Sequence, residues 1–119
     1  MSIIELYEFM QTNALLVEMA NLHPDETGVR PIINIVNRGG ARHGARVKVS
    51  NVPGKFQFDD NFSVTLEDTP RVVGACKIPQ NQLKDVVAWV KKNRNHLTCI
   101  WNDDGSMTNA QLFSGFVKL

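Results

Sequence analysis

Apolar positions recur along the chain with two different periods, and the period changes twice. It begins as helical. Ile3, Leu6, Tyr7 and Met10 fall on one helical face behind Ser2-Ile3-Ile4-Glu5, a Ser-x-x-Glu pattern in which side chains satisfy the free amides of a first turn. Thr12-Asn13 breaks the run and caps a second short helix, predicted over Ala14–Ala20. His23-Pro24-Asp25-Glu26-Thr27-Gly28 ends it, because proline cannot continue a helix and glycine relaxes the backbone.

From Val29 to Cys76 the period becomes that of a strand. Pro31–Val36 is β-branched and extended. Ala45–Ser50 alternates, putting Val47 and Val49 on one face and Arg46, Lys48 and Ser50 on the other. Val52-Pro53-Gly54 fits a type II turn, with glycine at the position of positive φ. Alternation returns in Lys55–Phe58 and in Phe62–Glu67, and Arg71-Val72-Val73 follows the turn at Asp68-Thr69-Pro70. Short connections imply an antiparallel meander with one face against helices.

Helical spacing then resumes. Pro79 and Asn81 open a long helix whose stripe holds Leu83, Val86, Val87, Val90, Leu97 and Trp101. Arg94 interrupts that stripe, which calls either for a stem that packs while its head reaches water or for a guanidinium placed against a carboxylate or anion. After Asp103-Asp104-Gly105, Thr108-Asn109-Ala110-Gln111 forms a capping box that opens a short last helix with Leu112, Phe113 and Phe116. The expected fold is α+β: an antiparallel sheet of about four or five strands packed by N-terminal helices, one long amphipathic helix and a short C-terminal helix. No repeat or linker divides residues 1–119, so a single globular domain is expected.

Composition adds limits. With 43% hydrophobic and 21% charged residues the chain has the balance of a folded domain, and a net charge of +1 gives no global attraction to nucleic acid or membrane. Two cysteines, Cys76 and Cys99, make no disulfide framework, and neither a leader nor a spanning segment is visible. A cytoplasmic, thiol-reducing location is the expectation. Charge is nevertheless segregated. Residues 1–29 carry Glu5, Glu8, Glu18, Asp25 and Glu26 without a lysine or arginine, whereas Arg30, Arg38, Arg42, Arg46 and Lys48 precede the next acid, Asp59.

The glycine-rich loop Arg38–Gly44 and the strand after it therefore hold the candidate anion or nucleic-acid contacts: Arg38, Arg42, His43, Arg46 and Lys48. The loop is neither a Walker loop nor a dinucleotide fingerprint. His43 beside Arg42 and Arg46 also has the makings of a small ribonuclease, with histidine moving protons and arginine stabilising phosphorane charge. A second basic cluster, Lys91–His96, sits late in the long helix, where the helix dipole favours cations. His96 and Cys99 lack the paired spacing of a zinc site, so neither metal nor cofactor is expected. Asp59-Asp60 reads as a turn and not as a carboxylate dyad.

The order His43-Gly44-Ala45-Arg46-Val47-Lys48-Val49, Val64-Thr65-Leu66-Glu67-Asp68, Val72-Val73-Gly74, Leu83–Val90 and Trp101 resembles a family of small bacterial proteins of unknown function, often encoded beside toxin–antitoxin genes. The resemblance covers about residues 43–102 and implies paired strands followed by a helix that closes on a tryptophan. Ala45 and Arg46 stand where that family has histidines, so it transfers no histidine chemistry. Three functions follow in order: a non-enzymatic binding or regulatory module acting by protein contact, as in toxin–antitoxin or phage–host conflict; a nucleic-acid-binding protein using residues 38–48; and a ribonuclease using His43.

Overall fold

A computed structural model describes residues 17–38 and 44–119. Five strands form one antiparallel sheet in sequence order: β1 (Val17–Leu22), β2 (Ile33–Asn37), β3 (Arg46–Ser50), β4 (Asn61–Thr65) and β5 (Val72–Val73). Among the described residues four helices accompany them: α1 (Pro24–Thr27), α2 (Gln80–Lys92), α3 (Arg94–Trp101) and α4 (Asn109–Ser114). The fold is α+β. Among the described residues no helix is long and apolar enough to cross a membrane.

Where the second helix is expected, over Ala14–Ala20, the described residues from Val17 onward form a strand, and Ala14, Leu15 and Leu16 lie outside the described residues. Val17–Leu22 pairs with β2 from Val17↔Asn37 to Leu22↔Ile33, with a bulge between Glu18 and Ala20. Alanine, leucine, methionine and glutamate favour helix locally, but burying Leu22 in the core and completing the β2 ladder outweigh that preference. The helix predicted behind Ser2 lies outside the described residues.

Alternation governs the middle of the sheet as expected. Val47, Val49, Phe62 and Val64 are at most 1% exposed and share a core with Ile33, Ile35, Val86, Trp89, Val90 and Ile100. Lys55–Phe58 forms no strand. Phe56 and Phe58 pack edge to face at 5.6 Å, Phe58 stays 73% exposed, and the carbonyls of Gln57 and Phe58 accept from Asn61 Nδ2 in a turn. Gly54 has φ +79°, the positive value the Val52-Pro53-Gly54 turn requires.

Asn93 divides the long helix in two. Val86, Trp89, Val90, Leu97, Ile100 and Trp101 follow a buried helical period, and Asn93, 3% exposed, occupies the middle of it. Its side chain acts as a clamp. Nδ2 donates to the carbonyls of Trp89 (3.0 Å) and Val117 (2.9 Å), and Oδ1 accepts from the Val117 N–H (2.7 Å). The C-terminal segment is thereby fixed to α2, with Phe116 stacked on Trp89 and the Leu119 N–H donating to the Thr27 carbonyl. Thr108 and Gln111 close the capping box of α4, as their spacing predicts.

The outward face of the sheet differs from end to end. At β2 it is closed: Ile32, Asn34 and Val36 are at most 2% exposed, and Asn34 donates to Asn21 Oδ1 at 2.7 Å. Toward β4 and β5 it opens, with Lys48 and Ser63 half-buried and Val73 exposed. α3 runs past the strand ends at this side of the sheet. Arg94 at its start bonds the Leu66 carbonyl, and at its finish the Trp101 carbonyl accepts from the Arg38 N–H.

Candidate functional site

The open end of the sheet holds a groove of about 760 Å³. Its walls include Arg46, Thr65, Glu67, Arg71, Val73 and Arg94. Register explains the grouping: Arg46 is opposite Thr65 across β3–β4, and Ser63 is opposite Val73 across β4–β5, so these side chains share the outward face.

The turn from β4 to β5 builds one wall. Thr65 Oγ1 donates to Glu67 Oε2 (3.1 Å) and accepts from the Arg71 N–H (2.8 Å), tying the turn closed around Pro70. Arg71 grips Glu67 with two bonds, Nε to Oε2 at 2.7 Å and Nη2 to Oε1 at 3.1 Å. The Arg71 bonds first, and the Thr65 hydroxyl second, hold the Glu67 carboxyl below its ordinary pKa, and the bond to Glu67 raises that of Arg71. Both side chains remain half-exposed, so the pair organises the wall more than it stabilises the fold.

Arg94 builds the opposite wall. Its Nε donates to the Leu66 carbonyl at 2.7 Å and its Nη1 lies 2.9 Å from Asp68 Oδ1. Of the two accounts the sequence allowed, the guanidinium set against a carboxylate is the one observed. Arg46 is the third cation, and it differs. Its guanidinium carbon sits 5.8 Å from the centre of the Trp101 ring and Nη1 donates to the Gly44 carbonyl at 3.2 Å, but no described carboxylate pairs with it. Partial burial lowers its pKa. An arginine desolvated against an indole without a counter-ion is a ready acceptor for an incoming anionic group.

Of the five candidates from the sequence, Arg46 is placed in the groove. Lys48 points to the same outward face, between Asn34 and Ser63, outside the groove walls. Arg38 is exposed, and its backbone is tied to Trp101. Arg42 and His43 lie outside the described residues. The two basic clusters meet here, since Arg46 comes from the first and Arg94 from the second. The rest of the second cluster diverges: Lys92 donates to the Lys118 carbonyl, and His96 lies 2.7 Å from the Leu112 carbonyl with its ring edge-on to Phe116.

Sequence reasoning missed Arg71 as a site residue and gave Glu67 no partner. Their i, i+4 spacing across Pro70 was the available signal. Among the described residues no cluster of three or more histidine, cysteine or acidic side chains can hold a metal, and Cys76 and Cys99 are free thiols. Asp60 pairs with Lys77 at 3.0 Å and accepts from Asn51, a turn contact and not half of a dyad. The chain matches no known family, no curated protein and no solved structure.

Proposed function

We propose that this protein is a non-enzymatic binding module that acts by contact with another protein, and that the Arg46 groove is its contact surface. The observation that carries the reading is Arg46 itself: half-buried on Trp101, lining an open groove, and without a counter-ion among the described residues.

Charge favours a protein over a nucleic acid. Among the described groove walls, Arg46, Arg71 and Arg94 face Glu67 and Asp68, leaving one uncompensated positive charge, whereas phosphate-backbone binding draws on several free cations. Among the described residues no aromatic ring belongs to the groove walls to stack a base, while Ala45, Leu66 and Val73 supply apolar surface suited to a side chain. Among the described residues no imidazole is among the walls, and His43, the candidate for catalysis, lies outside them. A role by contact also accords with the resemblance to proteins encoded beside toxin–antitoxin genes.

The test compares wild type with Arg46→Ala. A partner recovered by wild type and lost by the variant, with RNA and DNA unbound at any salt, supports the reading. Salt-sensitive RNA or DNA binding that Arg46→Ala removes replaces it with the nucleic-acid function.

A further inference from the structure

We propose that β5 receives an extended acidic segment of the partner as a sixth strand, the segment carrying a carboxylate two residues from an apolar side chain. This rests on the groove being the contact surface and specifies what it takes.

Hydrogen-bond parity fixes which way the Val72 backbone faces. The Thr65 N–H donates to the Arg71 carbonyl at 2.9 Å, which makes Thr65 and Arg71 a bonded pair. Bonded and non-bonded pairs alternate in an antiparallel ladder, so Val64↔Val72 is non-bonded and Ser63↔Val73 is bonded. The N–H and C=O of Val72 therefore face away from β4. No described residue bonds to either, and Val72 and Val73 are 38% and 50% exposed. Such an edge is a template for strand addition. It is short, because Pro70 offers no N–H and Gly74, at φ +100°, turns the chain away, so it seats about three partner residues.

Pleating then sets the partner's chemistry. The residue bonded to Val72 turns its side chain away from the groove, and its two neighbours place theirs on the groove face, one beside Arg71 and one beside Val73. Glu67 occupies Nε and Nη2 of Arg71, and a guanidinium has five N–H donors, so its Nη1 side is left for a second carboxylate. Val73 takes an apolar side chain. A second copy of this chain would bring Arg71 and Val73 to those places and no carboxylate, so charge complementarity favours an acidic partner.

The probe is an end-blocked fluorescent peptide of threonine, valine, threonine, glutamate and threonine, an order that antiparallel pairing sets with valine beside Val73 and glutamate beside Arg71, titrated against the full chain. Saturable binding is expected. Methylating the central backbone nitrogen, replacing the glutamate by glutamine, or making Val72→Pro should each weaken it about tenfold or more, the loss of one or two hydrogen bonds. Val72→Thr, which keeps the outward N–H, should retain binding, and an unchanged melting temperature of Val72→Pro shows that its loss of binding is not misfolding. No binding, equal binding of the methylated peptide, or indifference to Val72→Pro overturns the inference. So does a concentration-dependent dimer that Val72→Pro abolishes, which gives the edge to a second copy. Partner capture that needs Arg46 but ignores Val72→Pro sinks the sixth strand alone, whereas capture that ignores Arg46→Ala sinks the groove reading itself.

Discussion

The two faces of the sheet are built on opposite principles. On the helix side, strand residues such as Phe62 and Val64 meet Val86, Trp89 and Ile100 at nearly zero exposure, and the buried amide of Asn93 has its bonds made to Trp89 and Val117. On the open side near β5, Arg46, Arg71 and Arg94 are held by bonds to carbonyls and exposed carboxylates, with solvent completing their shells. The first face carries the stability. The second can change its charges at little cost to folding, which is the freedom a recognition surface requires.

The hardest break of that contrast is Phe62→Ala. Emptying a site that is 1% exposed should cost about 3–5 kcal/mol in denaturant unfolding. A cost below about 1 kcal/mol would mean that the helix-side core is loose. Next comes Asn93→Ala, which leaves the Val117 N–H and C=O unsatisfied. About 1–3 kcal/mol should be lost, and hydrogen exchange at residues 115–119 should quicken more than in β3. Uniform quickening would show that the C-terminal segment is not a separable unit. On the other face, Arg71→Ala should leave the denaturation midpoint nearly unchanged, because both partners are solvated. The smallest effect is in pH. Bonds from Lys77 and Arg71 hold Asp60 and Glu67 below their ordinary carboxyl values, so their contribution is complete above the unfolded values, about 4. It fades as pH falls through the lower folded values. The melting temperature should be flat from pH 7 to about 5 and decline in acid, and Glu67→Gln should make that decline shallower. An identical acid profile in the variant would exclude Glu67 as a contributor.

The same contrast explains what could be read in advance. Val47 and Val49 announced the core face through alternation, and Thr108 with Gln111 announced α4, because strand period and capping chemistry are local. Arg46 was visible as a cation on the polar side of that alternation. β1 was not legible, since its helix-favouring composition yields to a ladder with β2 that no short window contains. Nor was the groove as a unit: Arg71 and Arg94 are joined to it by a turn closed on Thr65 and by a helix crossing the strand ends. Asn93 was legible neither as a core position nor as a clamp, since a buried asparagine makes sense only once Val117 is placed beside it.

The strand order has a kinetic consequence. Because β1 to β5 neighbour one another in sequence, the sheet can grow hairpin by hairpin, each step closing only a short loop. Its apolar face has no cover until the Val86–Ile100 stripe arrives, and the bonds from Asn37 to the carbonyls of Ile100 and Asp103 span more than 60 residues. During synthesis on the ribosome the meander therefore precedes its own lid, and the interval between them is when this chain is most exposed to aggregation.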